Sequence, residues 1–299
     1  MSNPAPRPVL VLLAFATIYI VWGSTYLAIR IGVETIPPFL MLGVRFAFAG
    51  LVLYAWLRLR GAAAPTAKEW RGTTVTGVMM LFFGTGMVGV AEQTMDSGLA
   101  ALLISTTPLW MVLFSWLWKK GPRPHSVVFL GIAIGLAGVF LLFDPAAITA
   151  AGISGAVPGL MVIGASASWA AASVHAKDGG LPANPFLTSA MQMTTGGLAL
   201  LLGALVTGEL SGFEIGLVSA RSAWSLVYLV IFGSFLAFSA YVWLLRATNP
   251  ARVSTYAFVN PAVAVLLGWA ILAEPLSMRI LASMALLTVS VVLILKHGR

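Results

Sequence analysis

Pro108-Leu109-Trp110-Met111-Val112-Leu113-Phe114-Ser115-Trp116-Leu117-Trp118-Lys119-Lys120-Gly121-Pro122 reads against Pro261-Ala262-Val263-Ala264-Val265-Leu266-Leu267-Gly268-Trp269-Ala270-Ile271-Leu272-Ala273-Glu274-Pro275 at an offset of 153 residues. Pro108 meets Pro261, Val112 meets Val265, Trp116 meets Trp269 and Pro122 meets Pro275. Nearer the N-terminus an offset of 147 pairs Trp22 with Trp169, Pro38 with Pro185, Phe39 with Phe186 and Gly50 with Gly197. Trp and Pro are scarce residues, and their recurrence in order makes the chain a duplication. The halves are 1–148 and 149–299, and the six-residue change of offset falls between the second and fourth helices of each.

The surroundings of these stretches are apolar. Of 299 residues, 60% are hydrophobic and 9% charged, against about 25% charged in a soluble domain. Most of the surface must therefore face lipid. The net charge of +8 comes from 17 basic residues with no Lys/Arg-rich run, which excludes a phosphate-tracking stripe and with it nucleic acid. The absence of cysteine removes disulfides, thiolate zinc sites, iron–sulfur clusters and thiol nucleophiles. His125, His175 and His297 are too far apart in sequence for a metal site, and no cofactor is implied.

A bilayer core of about 30 Å takes about 20 apolar residues per helix. Ten stretches qualify: Val9 to Ile29, Pro38 to Leu57, Thr73 to Gln93, Ser97 to Trp118, Val127 to Phe143, Ala156 to Ala176, Pro185 to Thr207, Ala223 to Leu245, Val253 to Ala273 and Met278 to Leu295. The first continues through Trp22 and reads as an uncleaved span. Short loops rich in Lys and Arg stay cytoplasmic. With both termini inside, Arg7, Arg58, Arg60, Lys68, Arg71, Lys119, Lys120, Arg123, Lys177, Arg246, Arg252, Lys296 and Arg299 are cytoplasmic, against Arg30, Arg221 and Arg279 outside. The acids Glu34, Asp96, Asp144, Glu209, Glu214 and Glu274 then lie outside and Glu69 and Asp178 inside, so only Arg45 and Glu92 remain, and both fall within spans.

The sequence thus predicts an all-α integral membrane protein of ten transmembrane helices in two five-helix repeats. Because five is odd, the second repeat enters the membrane inverted. Inverted repeats are a recurrent design of secondary transporters, with the substrate site near the midplane where the halves meet.

Trp22-Gly23-Ser24-Thr25-Tyr26, Pro37-Pro38 leading to Arg45-Phe46, and Ala91-Glu92-Gln93 followed by Ser97-Gly98-Leu99-Ala100-Ala101 resemble the EamA-type exporters of the drug/metabolite transporter superfamily. Pro108, Tyr256, Asn260-Pro261 and Glu274 extend the likeness along the whole chain. The resemblance implies a basket-like carrier in a bacterial-type inner membrane that exports amino acids or small drug-like metabolites. Ala273 departs from it, since the family commonly has Gly before this Glu.

Candidate site residues follow from depth. Pro108 lies about 16 Å into its helix from outside and Pro261 about 12 Å into its own from inside, by helical rise. Each proline leaves a carbonyl without its helical partner, that of Ile104 or Ala257, which is tolerated at depth only where protein, water or ligand satisfies it. Pro108 and Pro261 are read as hinges. Ser105, Thr106 and Thr107, and Ser254, Thr255 and Asn260, supply donors and acceptors beside them, and Ser105, Thr106 and Asn260 are expected to touch substrate. Trp22, Trp169 and Tyr256 are expected in the cavity wall, with a small zwitterionic or aromatic substrate. Arg45 lies about 12 Å deep by helical rise, at a cost of about 3 kcal/mol. It either pairs with Glu92 or clamps a substrate carboxylate through its planar fork. Its repeat partner is the uncharged Gln192. Glu92 is read as an ion-pair or coupling residue, or as one that snorkels to the interface. Gly131 and Gly135 make a GxxxG spacing for close helix packing or a homodimer contact.

Two other classes compete. Gly152-Ile153-Ser154-Gly155 matches the GxSG of intramembrane serine proteases, but Ser154 and His175 stand about 31 Å apart along one helix, so no dyad forms and an enzyme is not expected. A passive channel would want charge rings or carbonyl filters, which the sequence lacks. A lipid or hydrophobic-drug permease of the same fold stays open at this point.

Overall fold

A computed structural model of the chain describes residues 8–118, 123–142, 155–176, 179–248, 253 and 255–297. Arg7, Lys119, Lys120, Asp144, Ser154, Lys177, Asp178, Arg252, Ser254 and Arg299 lie outside these described residues. Within them the long elements are helical rods: α1 (Pro8–Gly32), α2 (Pro38–Leu59), α3 (Ala67–Ala91), α4 (Ser97–Leu117), α5 (Ser126–Leu142), α6 (Val157–His175), α7 (Pro185–Val206), α8 (Ala220–Leu245 and on to Ala247), α9 (Tyr256–Leu272) and α10 (Met278–His297). Seven of them, α1 to α4 and α6 to α8, are long and apolar enough to cross a membrane, and α5, α9 and α10 contribute shorter apolar stretches. Large apolar side chains such as Leu12, Phe48, Trp56, Phe140, Leu202 and Trp224 stand exposed on the outside of the bundle, a surface that suits lipid and not water.

The local punctuation is shared by two rods. α2 and α7 each begin with proline, whose fixed φ and missing N–H suit the first helical position. Each is followed two residues after its last by a left-handed glycine, Gly61 at φ 85° and Gly208 at φ 75°, a conformation open to glycine at little steric cost. α2 and α7 share one offset of 147 at both ends, whereas α3 and α8 start 153 apart. The six additional residues therefore sit in the connection 207–219, which carries a short 3₁₀ turn at Ile215–Leu217, compared with 60–66.

Backbone-to-backbone packing joins α2 to α7. A Cβ on Gly50 would run into the backbone nitrogen of Thr194, and one on Gly197 into that of Ala47. These two contacts exchange under the same 147-residue offset, as a two-fold axis between the rods requires. α5 and α10 form a second close pair, where Gly131, Gly135 and Gly138 face Ser290, Leu293 and Leu287. Of the two uses read for the GxxxG spacing, close helix packing is the one seen: that face is covered by α10 of the same chain, which leaves it no room for a homodimer contact.

Three rods are irregular. α3 is π-helical over Val78–Gly86 and α8 over Leu229–Phe238, and Ser168 Oγ on α6 donates to the carbonyl of Met79 in the first of these at 2.7 Å. α4 breaks between Ile104 and Thr107, where Pro108 opens the second segment. α9 by contrast runs through Pro261 as one helix, so the two prolines do not bend their rods alike.

Candidate functional site

Between the rods lies a cavity with about 670 Å³ of atom-free space, including its mouth. α1 lines it with Trp22, Thr25, Tyr26 and Ile29, α2 with Arg45 and Phe46, and the π segment of α3 with Leu81, Gly84 and Thr85, joined by Val88. Ile104 and Thr107 of α4, Ala165 and Trp169 of α6, Phe238 of α8, and Tyr256 and Asn260 of α9 complete the wall. Both π segments reach this cavity, in keeping with their frequent use at functional sites.

Four rings form one aromatic group. The Trp22 centroid lies 4.8 Å from Tyr241, 5.4 Å from Tyr256 and 5.9 Å from Trp169, with the last two pairs edge to face. Trp22, Trp169 and Tyr256, expected from sequence to be cavity residues, are brought together, and Tyr241 joins them from α8.

Arg45 is 3% exposed and lines the cavity. Its Nε donates to Ser234 Oγ at 3.0 Å, and its guanidinium carbon lies 4.4 Å from the centre of the Phe46 ring. Gly233 makes room for it, since a Cβ there would come within 2.7 Å of Nη2. Nη1 has no hydrogen-bond partner among the described residues. Gln192, its counterpart in the second half, donates instead to Thr76 Oγ1 at 2.8 Å and is spent on packing.

Glu92 does not pair with Arg45, nor does it snorkel. It is fully buried, and neither carboxylate oxygen has a hydrogen-bond partner among the described residues. The reason is local: α3 ends at Ala91, the chain turns, and Arg30 Nη1 crosses that turn to the carbonyls of Glu92 at 2.7 Å and Gln93 at 3.2 Å. In the same connection, burial and then the Glu274 carboxylate push the Asp96 carboxyl above the usual range, with Arg30 opposing.

Of the hydroxyls beside Pro108, Ser105 and Thr106 do not line the cavity, contrary to expectation. Ser105 Oγ returns to the carbonyl of Leu102 at 2.6 Å, and Thr106 Oγ1 to that of Leu103 at 2.7 Å. Thr106 and Thr107 both meet Ser166 Oγ, at 2.9 and 3.0 Å. The carbonyl of Ile104, which Pro108 deprives of its helical partner, accepts from Thr107 Oγ1 at 2.6 Å. The helix break thus absorbs these hydroxyls, and Thr107 is the one at the wall. On α9, the Asn260 amide nitrogen, turned to face acceptors, donates to the carbonyls of Ile18, Tyr19 and Tyr256 at 3.1–3.2 Å. Thr107 with Ser166 and Asn260 with Tyr19 are again the same positions under the two offsets.

Two carboxylates act at a distance that no local motif announces. Glu274 accepts from Ser97 N at 2.8 Å, Ser97 Oγ at 2.7 Å and Gly98 N at 3.0 Å, and so caps α4. Glu209, which follows α7, accepts from Phe39 N at 3.2 Å and Leu40 N at 2.8 Å and caps α2. α7 is capped from its own chain end by Asn184, at the position that Pro37 fills before α2. Glu274 is reached through Ala273, which holds the left-handed φ of 54°.

The model of the EamA-like transporter family matches residues 9–144 and 158–296. The chain is 39% identical over 267 residues to the "Uncharacterized inner membrane transporter YedA" of Escherichia coli K12, covering 88% of this chain and 83% of that one. It is 27% identical to the "Uncharacterized transporter YvbV" of Bacillus subtilis (94% and 90% covered) and 30% identical to "Protein PecM" of Dickeya dadantii (86% and 82%). A crystal structure at 21% identity superposes with a TM-score of 0.68 over 98% of this chain and 100% of that one, a likeness of fold. The chain belongs to the EamA-like transporter family of the drug/metabolite transporter superfamily.

Proposed function

We propose that the chain is a multi-pass secondary carrier of the inner membrane, exporting amino acids or related small amphipathic metabolites by alternating access through this cavity. Residues 1–148 and 149–299 are two inverted five-helix units, and all ten rods cross the bilayer. Both termini are cytoplasmic, so the Pro38 and Ser97 ends of α2 and α4 face outside. The reading is carried by the exchange of the Gly50–Thr194 contact for the Gly197–Ala47 contact under one offset, which is what two inverted copies meeting on an axis in the membrane plane require. The matching offsets of α2 with α7 and the two π segments support it. Two equivalent packings of one unit give inward-open and outward-open states of similar energy, and the cavity lies where the copies meet.

In this reading Arg45 receives the substrate's carboxylate, Trp22, Trp169 and Tyr256 pack its apolar part, and Thr107 and Asn260 contact its polar edge. Pro108 is the hinge of α4, and Pro261 leaves α9 able to bend in the alternate state. The purified protein in proteoliposomes should show saturable uptake of a labelled amino acid and acceleration by unlabelled amino acid on the far side. Flux linear in concentration and without counterflow would replace the carrier by a channel or a lipid and hydrophobic-drug permease.

A further inference from the structure

The charges of the cavity wall do not balance. Among the described residues, Arg45 is its one charged side chain, with no Asp or Glu in the lining. The buried acid Glu92 belongs to the turn after α3, outside that lining, and sits among the charges of Arg30 and Glu274. Arg45 is held in place by Ser234 and Phe46 while its Nη1 has no partner among the described residues. A guanidinium at this burial needs a compensating anion or it carries a large desolvation cost. The rings of Trp22, Trp169, Tyr241 and Tyr256 pack on one another edge to face or tilted, at centroid separations of 4.8 to 6.1 Å, and give the cavity an apolar wall beside Arg45.

We infer that the cavity selects a net anion, an organic monocarboxylate with a flat apolar body, and that an α-ammonium group is unfavourable. This rests on the reading of the cavity as the substrate site. A monocarboxylate brings the site to zero net charge, whereas a zwitterion leaves the charge of Arg45 in excess and offers an ammonium no carboxylate. Arg45 would engage the carboxylate through its free Nη1, and the oxygens of Thr107 and Asn260, whose donors are spent on backbone carbonyls, would be left to accept from a hydroxyl on the ligand.

Three probes share a phenyl ring and differ in charge: 3-phenylpropionate, phenylalanine and phenethylamine. Binding of each to the purified protein is measured by calorimetry near pH 7, with the change in tryptophan fluorescence as a second signal. The expected order is phenylpropionate at least tenfold tighter than phenylalanine, with phenethylamine weakest. Arg45→Gln should weaken phenylpropionate by at least 30-fold and erase the order, and Arg45→Lys should keep the order at reduced affinity. A thermal midpoint for Arg45→Gln no lower than that of the wild type separates loss of binding from loss of fold. Phenylalanine binding as tightly as phenylpropionate, phenethylamine binding best, or phenylpropionate unaffected by Arg45→Gln each overturns the inference. Binding of none of the three by a protein that still performs counterflow overturns it too while leaving the carrier standing; linear flux removes the carrier whichever probe binds.

Discussion

In the proposed orientation, removing the Glu274 side chain should loosen the outer face of the protein specifically. The carboxylate accepts three hydrogen bonds from the first turn of α4, at 2.7 to 3.0 Å. A hydrogen bond to a charged group contributes about 1.5–3 kcal/mol when well shielded. These three share one partly exposed group and do not add, so about 2 kcal/mol for the set is a reasonable figure. If the bonds exist only while α9 and α4 are together outside, Glu274→Ala shifts the balance towards the outward-open state by about 30-fold, at 1.4 kcal/mol per factor of ten. Glu274→Gln keeps one acceptor but turns an amide donor towards a donor, and should give a smaller shift in the same direction. The chain has no cysteine, so Val88→Cys, at a buried cavity position, is a single reporter. Its reaction with a membrane-impermeant maleimide added outside should accelerate in the Glu274→Ala background. An unchanged labelling rate, with a lowered thermal midpoint, would refute the reasoning and reduce Glu274 to a cap that stays closed throughout transport.

Gly50→Leu and Gly197→Leu each force a side chain into the opposing backbone, so both should abolish folded protein by size-exclusion and thermal melting. Gly164→Ala, with nothing within 4 Å of the added Cβ, should instead raise stability by up to about 1 kcal/mol through helix propensity. Ala273→Gly relieves a left-handed backbone that costs an L-residue about 1–2 kcal/mol; after the greater chain entropy of glycine, a gain of about 0.5–1 kcal/mol should appear as a higher thermal midpoint. For Asp96 the sign is opposite to that of a paired carboxylate. Its pKa is raised in the folded state, so its ionisation costs stability as pH rises through the unfolded value. Asp96→Asn should melt above the wild type at pH 7, and the difference should shrink as the pH is lowered towards 4.

Rod boundaries and the correspondence of α2 with α7 were legible because Pro38 and Pro185 open the rods and Gly50 and Gly197 recur at the same offset; that these two glycines form the crossing of the rods was not. The six-residue change of offset was visible, but its place in 207–219 was not, because no scarce residue anchors that connection. The π segments have no signature in stretches as uniformly apolar as Val78–Gly86, where every turn of helix looks like the next. Helical depth put Arg45 near the cavity and could not say that Glu92 lies outside its lining, since that depends on where α3 stops. At Pro108 the sequence offered three adjacent hydroxyls. The break in α4 chose Thr107 for the wall and turned Ser105 and Thr106 to its own carbonyls. Glu209 reaching Phe39 across 170 residues is a tertiary fact with no local cue.

The added length between α7 and α8 has a consequence for the resting state. Two identical copies facing opposite ways would be degenerate, waiting open to either side of the membrane with equal frequency. The connection 207–219 contains Glu209, which caps α2, and Ser219, whose backbone N–H donates to Thr35 Oγ1 at 3.1 Å. At the position matching Glu209 the first copy has Ala62, and at the position matching Glu274 it has Gly121. On the proposed alternating-access reading, the residues added to one copy therefore break the indifference of the duplicated design and give the empty protein a preferred side.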